Sequence, residues 1–162
     1  MRKNLTRREW TVLGAALVGV FGVAQFVPVG APRTNPAVVA EPSWSSPRTR
    51  ELFFRACADC HSNQTRWPWY SGVAPVSWLV RHDVEAGRRH LNVSEWTRPQ
   101  KNARKAAGEL RDGEMPLAMY LAAHAEARLE PADKAELIAG LEATFGAGGQ
   151  GGGGRDEEPD DD

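Results

Sequence analysis

The sequence predicts an all-α fold, and three observations carry that prediction. Apolar residues recur at helical spacing in segments bounded by proline and glycine. No run alternates with period two for long enough to make a strand. The longest apolar stretch, Trp10 to Val29, has the length of a helix. The chain has 162 residues, 41% hydrophobic and 25% charged, which suits one folded domain with appendages. Its formal charge is −1. Basic residues gather at the start, acidic ones at the end, and the body between is near neutral. Such a body argues against a dedicated nucleic-acid binder, so no nucleic acid is expected as a partner.

Residues 1–9 form a basic tip carrying Arg2, Lys3, Arg7 and Arg8. Residues 10–30 follow as a predicted transmembrane anchor, because the 20 residues from Trp10 to Val29 carry no charge. A helix of that length spans about 30 Å, the thickness of a bilayer core. The basic tip then places the N-terminus in the cytoplasm and the rest of the chain outside. Val29-Gly30-Ala31 offers a signal-peptidase site, but Pro32 fits poorly after the cut, and a retained anchor is the preferred reading.

Residues 31–46, with Pro32, Pro36 and Pro42, read as an extended linker. A domain over 47–145 comes next. Ser46 and Pro47 form an N-cap and first position, followed by Leu52, Phe53 and Ala56 on one face. Trp67 to Pro75 reads as loop. Pro75 to Val84 resumes a helix with Val76, Leu79, Val80 and Val84 as its apolar stripe. Pro99 to Asp112 reads as a polar helix stopped at Gly113. Pro131 to Phe145 is a helix with Leu137, Ile138, Leu141 and Phe145 as its stripe, ended by Gly146. Residues 146–162, glycine-rich and then acidic, bury too little to order themselves and are expected to be disordered.

Cys57 and Cys60 are the only cysteines and sit in Cys57-Ala58-Asp59-Cys60-His61. On one helical turn, positions three apart present both sulfurs on one side, matching the vinyl groups along a porphyrin edge. The next residue then places an imidazole under the iron. This CxxCH pattern is the attachment signature of a c-type haem, one per chain here, with His61 as axial ligand. A redox dithiol leaves His61 unexplained, and adjacent ligands at 60 and 61 crowd a tetrahedral zinc. For the other face of the iron, Met115 is the first choice and His124 the second, with His82 and His90 behind. Met115 stands in the loop Gly113-Glu114-Met115-Pro116, which can approach a haem plane end-on, whereas a methionine inside a helix, such as Met119, is usually filler.

Blocks on either side of the motif carry a resemblance. They include Asn35-Pro36, Ser43-Trp44, Ser62-Asn63, Thr65 to Tyr70, Ala74 to Trp78, Gly87-Arg88-Arg89, Leu91-Asn92, Ser94-Glu95-Trp96, Gly113 to Pro116, Tyr120 and His124. Together they resemble a bacterial haem-binding domain family built around one CxxCH, over about residues 35–145. The resemblance implies one c-type haem on a small cytochrome-c-like helical domain, often tethered to the envelope. Ala125 stands where that pattern leads one to expect proline. Against this background, Trp67, Trp69 and Tyr70 suit the lining of a haem and donation to a propionate. Pro75, or Pro68, is expected to offer its carbonyl to His61 Nδ1–H. Arg88, with Arg66 and Arg89, is expected to neutralise propionates.

These readings converge on an electron carrier at the outer face of the cytoplasmic membrane, its iron held by His61 and Met115. Its expected partners are the membrane, a redox protein and the c-type maturation machinery. The alternative is a haem peroxidase or small-ligand sensor whose sixth position is open, with Glu114, Tyr120 or His124 as distal groups. A domain of this size built round a porphyrin also predicts a cavity beside His61 when the haem is absent.

Overall fold

The computed structural model describes residues 6–146. The first part of the basic tip and the glycine–acid tail from residue 147 onward lie outside the described residues. Among the described residues the fold is all-helical. Seven helices are joined by short 3₁₀ turns, and the only extended pairing is an isolated parallel bridge between Ala40 and Glu95.

Helix α1 (Arg7–Ala24) opens with a capping box in which Thr6 and Glu9 satisfy each other's backbone N–H. It ends earlier than the expected anchor. Pro28 has no N–H to offer and disfavours helical backbone at Val27. Gln25 is drawn aside instead: its amide donates to the Ala74 carbonyl (3.2 Å) and accepts from the Ala74 N–H (3.0 Å). The uncharged helical part, Trp10 to Ala24, therefore rises only about 22 Å, short of a hydrocarbon core of about 30 Å. No helix among the described residues is long and apolar enough to cross a membrane, which corrects the expected span over residues 10–30. None of the α1 side chains is buried.

The core lies between α2 (Pro47–Ala56), α5 (Ala106–Asp112) and α7 (Pro131–Phe145). Ser46 caps α2 by accepting from the Thr49 N–H at 3.0 Å, and Pro47 occupies the first turn. Leu52 and Phe53 on α2 meet Leu137, Leu141 and Phe145 on α7 and Leu110 on α5, all within one buried cluster. Trp44 and Trp96 close this cluster through Phe53 (5.2 Å between centroids) and Phe145 (5.0 Å, stacked). Phe54 is half-buried against Trp44, so both phenylalanines before the motif serve the core. Gly140 lets α7 approach α2 so closely that a Cβ there would overlap the Thr49 side chain.

Two elements differ from the sequence reading. Helix α4 extends over Val76–His90, but its buried residues are Ser77, Val84 and Gly87, while Val76 and Leu79 are exposed. The helix expected from Pro99 is delayed to a 3₁₀ turn at Ala103–Lys105 and α5. Gln100 explains the delay. Its side chain accepts from the Asn92 N–H (3.0 Å) and donates to the Glu95 carbonyl (2.9 Å), so this stretch is committed to tertiary bonds. At the other end of α5, Gly113 adopts φ 82°, where glycine carries no steric penalty, and the helix stops as expected.

Candidate functional site

The Cys57 N–H makes the last hydrogen bond of α2, to Phe53 at 2.8 Å, and the chain then restarts as α3 (Ala58–His61). The Cys60 and His61 amides both donate to the Cys57 carbonyl, at 3.2 and 3.0 Å. The two thiols are thereby one turn apart, and neither is in a disulfide. Burial pushes both thiols up to about 12, so they are neutral at ordinary pH. Among the described residues no group of three or more His, Cys, Asp or Glu is placed to hold a metal ion.

Helix α3 packs on α4 at Gly87. A Cβ on Gly87 would lie 2.5 Å from the Cys60 carbonyl oxygen and 2.9 Å from its Cβ. This approach brings the last turn of α4 under the imidazole. His61 Nδ1 is 3.1 Å from the Gly87 oxygen and 3.1 Å from the Leu91 oxygen. Carbonyls only accept, so the proton is assigned to Nδ1 and the lone pair to Nε2. Burial lowers the His61 pKa and keeps the ring neutral. The expected acceptors were Pro75 and Pro68, and the structure corrects this. The Pro75 carbonyl accepts from the Trp78 N–H in the first turn of α4, and the Pro68 carbonyl accepts from Ser71.

Below the motif, a buried polar knot fixes residues 91–95. Asn92 donates to Asn63 at 2.8 Å, Asn63 donates to the Ala37 carbonyl at 3.0 Å, and the Ser94 hydroxyl receives the Asn63 N–H at 2.9 Å. The Val93 N–H donates to the His61 carbonyl at 2.9 Å. The segment that supplies the Leu91 carbonyl is therefore held from three sides.

Asp59, between the two cysteines, is buried and accepts from the Arg66 guanidinium and backbone and from the Tyr120 hydroxyl (2.8 Å). Tyr120 lies on α6 (Ala118–Ala123), and burial, then the Asp59 bond, holds its phenol strongly protonated. The His124 ring stacks on Tyr120 at 4.0 Å. Its Nδ1 donates to the Tyr120 carbonyl (3.0 Å), and its Nε2 accepts from the Tyr70 hydroxyl (3.3 Å). Both nitrogens of the second-choice ligand are thus engaged. His90 is exposed beside Asn102, and His82 is exposed. Met115 is half-buried in its loop, where its N–H and that of Glu114 both donate to the Glu109 carbonyl.

Of the remaining expected residues, Trp67 is half-buried with its indole N–H on Asn35, and Trp69 is 82% exposed. Arg88 does not wait for a propionate. It donates to the Ser62 and Thr34 carbonyls, the Asn35 amide oxygen and the Thr65 hydroxyl, stapling the motif loop to the linker. Arg66 and Arg89 pair with Asp59 and Glu85. The cavity expected beside His61 is not found among the described residues' main pockets. The half-open cavity near α4 is about 220 Å³ and is lined by residues such as Trp67 and Arg81, with Cys57, Cys60 and His61 outside its walls.

The sequence model of the haem-binding domain family matches residues 19–143. The chain belongs to that family. No curated protein and no solved structure matches it. As a haem-binding domain, the chain has a donor set that fits the group. It offers an imidazole whose Nδ1 is tied back and whose Nε2 is presented, a pairing that fixes ring orientation and raises ligand basicity. Two unpaired thiols stand on the same turn. Helix α6 buries none of its residues fully, and Met119 is 69% exposed.

Sequence reasoning missed Asp59, Asn63 and Asn92 in this haem-binding domain. Asn63 and Asn92 were visible in the blocks flanking the motif, but their pairing spans 29 residues of chain. Asp59 sits inside the motif at a position that haem attachment leaves free in chemistry, so nothing in the spacing marks it.

Proposed function

We propose that this domain carries one c-type haem, covalently held by Cys57 and Cys60, and serves as an electron carrier. The single observation that carries this reading is the tethering of His61 Nδ1 to the Gly87 and Leu91 carbonyls on the turn that bears both thiols. The haem, once bound, supplies a one-electron iron couple. His61 Nε2 and Met115 Sδ are the side-chain atoms that would hold its iron. A thioether in that position favours the reduced ion and raises the potential. Support for Met115 over His124 comes from the hydrogen bonds that already occupy both His124 nitrogens. The same bonds, with the Tyr120–Asp59 pair, weigh against the peroxidase or sensor reading, since they commit two of its distal groups, Tyr120 and His124, to protein partners.

The place of work we propose is the outer face of the cytoplasmic membrane. Support comes from α1, which exposes apolar side chains all round, including Trp10, Leu17, Val18 and Phe21. Such a surface is stable when seated in lipid. A redox protein outside the membrane and the c-type maturation machinery are the partners this implies. The test is the ferric absorption spectrum of the untouched protein together with its response to carbon monoxide. A low-spin spectrum with a methionine–iron charge-transfer band and slow ligand uptake is expected. A high-spin spectrum with rapid uptake would replace the carrier with the sensor or peroxidase reading.

A further inference from the structure

One face of α4 carries a second feature, unrelated to the thiols. Arg81, Arg88, Arg89 and Arg98 converge on the cavity of about 220 Å³ between α4 and the linker, against only two carboxylates, Glu85 and Glu95. The partners are unevenly shared. Arg89 pairs with Glu85 at 2.9 Å and Arg98 with Glu95 at 2.7 Å. Arg88 spends its donors on neutral oxygens. Arg81 has nothing: its Nε–H is closed to water and meets no acceptor among the described residues. The walls therefore keep two uncompensated positive charges, and a buried guanidinium donor without an acceptor is costly. An anion in the cavity would remove both defects.

Size and place narrow the ligand. The space is smaller than the roughly 300–1,000 Å³ of pockets that take drug-sized molecules, so it suits a small charged head. Arginine's planar fork matches phosphate oxygens in pairs. The cavity also stands at the base of the apolar helix. Gly30 packs directly on the Arg81 side chain, Gln25 is bonded to Ala74, and Ala31 and Pro32 form the cavity's near wall. The apolar residues of α1 and its extension thus end where the arginines begin, as acyl chains end at a headgroup.

We propose that this cavity is an anion site for a phosphate ester, supplied by the headgroup of an anionic phospholipid. The haem reading is not used in this argument. The test takes the full-length, haem-loaded protein in detergent and titrates it with glycerol phosphate by calorimetry. In parallel, its partition is compared between phosphatidylcholine vesicles and vesicles containing phosphatidylglycerol. Saturable binding of glycerol phosphate is expected, weakened about tenfold in Arg81→Gln, the scale of one lost charge-assisted pair. The preference for phosphatidylglycerol should shrink in the same variant while binding to phosphatidylcholine stays. Arg81→Lys, which keeps the charge and loses the fork, should fall between. Binding of glycerol phosphate without vesicle preference keeps the anion site and overturns its assignment to lipid. Binding of neither probe, or binding indifferent to Arg81 in both variants, overturns the site.

Discussion

Gly87→Ala is expected to melt several degrees below the unaltered protein and to retain less haem. The added methyl would lie 2.5 Å from the Cys60 carbonyl oxygen and 3.0 Å from its carbonyl carbon. Those are backbone atoms of a buried turn and have no rotamer to yield. Forcing α3 from α4 costs about 1–3 kcal/mol by the measure of overpacked cores. At this chain length that is a fall of about 3–10 °C. The same displacement moves the Gly87 carbonyl away from His61 Nδ1, so the imidazole loses one of its two anchors. Gly108, also in a helix, has nothing within 4 Å of its missing Cβ. Gly108→Ala should therefore be neutral or stabilising by up to about 1 kcal/mol. Thermal unfolding and the haem-to-protein ratio of both variants check the contrast, and a Gly87→Ala protein equal to Gly108→Ala in both would show that α3 and α4 do not meet there.

Met115→Ala is expected to leave haem attached while opening the iron. In the proposed reading, attachment would depend on Cys57 and Cys60 and the proximal bond on His61, none of which touches residue 115 in the chain's own hydrogen bonds. If Met115 Sδ supplies the sixth bond, its loss turns the ferric spectrum from low to high spin. An internal ligand worth about 3 kcal/mol suppresses external ligands about a hundredfold, and that suppression should vanish. His124→Ala should change neither the spin state nor carbon monoxide uptake, because His124 is bonded to Tyr70 and to the Tyr120 carbonyl. A reversed pattern, with His124→Ala opening the iron, would transfer the sixth position to His124.

Much of the frame was legible because local chemistry wrote it. Ser46-Pro47 and Pro131 with Gly146 mark the ends of α2 and α7, and their stripes contain the buried Leu52, Phe53, Leu137 and Leu141. Helix α4 was legible as a helix but not in its facing. Counting large apolar residues found the buried Val84 but also pointed to the exposed Val76 and Leu79, and it missed Ser77 and Gly87 on the inward side. Small residues suit that side because α3 packs close against it at Gly87, a requirement that periodicity does not encode.

The site divides in the same way. Cys57, Cys60 and His61 stand out in the sequence because the chemistry proposed for them depends on adjacency. What orients His61 is not, since the Gly87 and Leu91 carbonyls lie 26 and 30 residues away, and backbone acceptors leave no mark on residue type. Arg88 shows the converse. A conspicuous arginine beside a haem motif suggests a propionate partner, yet the loop after His61 leaves the Ser62 carbonyl and Thr65 hydroxyl in need of donors, and Arg88 meets them. The N-terminal segment illustrates a third limit. Hydropathy measured its apolar length correctly, but Pro28 and the Gln25–Ala74 bonds end the helix at Ala24.

The central claim is covalent haem on Cys57 and Cys60, and a haem stain of a denaturing gel tests it most directly. The full-length chain would be expressed with a c-type maturation system, beside a Cys57→Ala, Cys60→Ala double variant. Denaturation strips haem that is held only by iron ligands and leaves thioether-bound haem in place. The predicted result is a stained band for the unaltered chain and none for the double variant. An unstained band from the unaltered chain, with both thiols open to alkylation after unfolding, would contradict covalent attachment and return Cys57 and Cys60 to thiol chemistry.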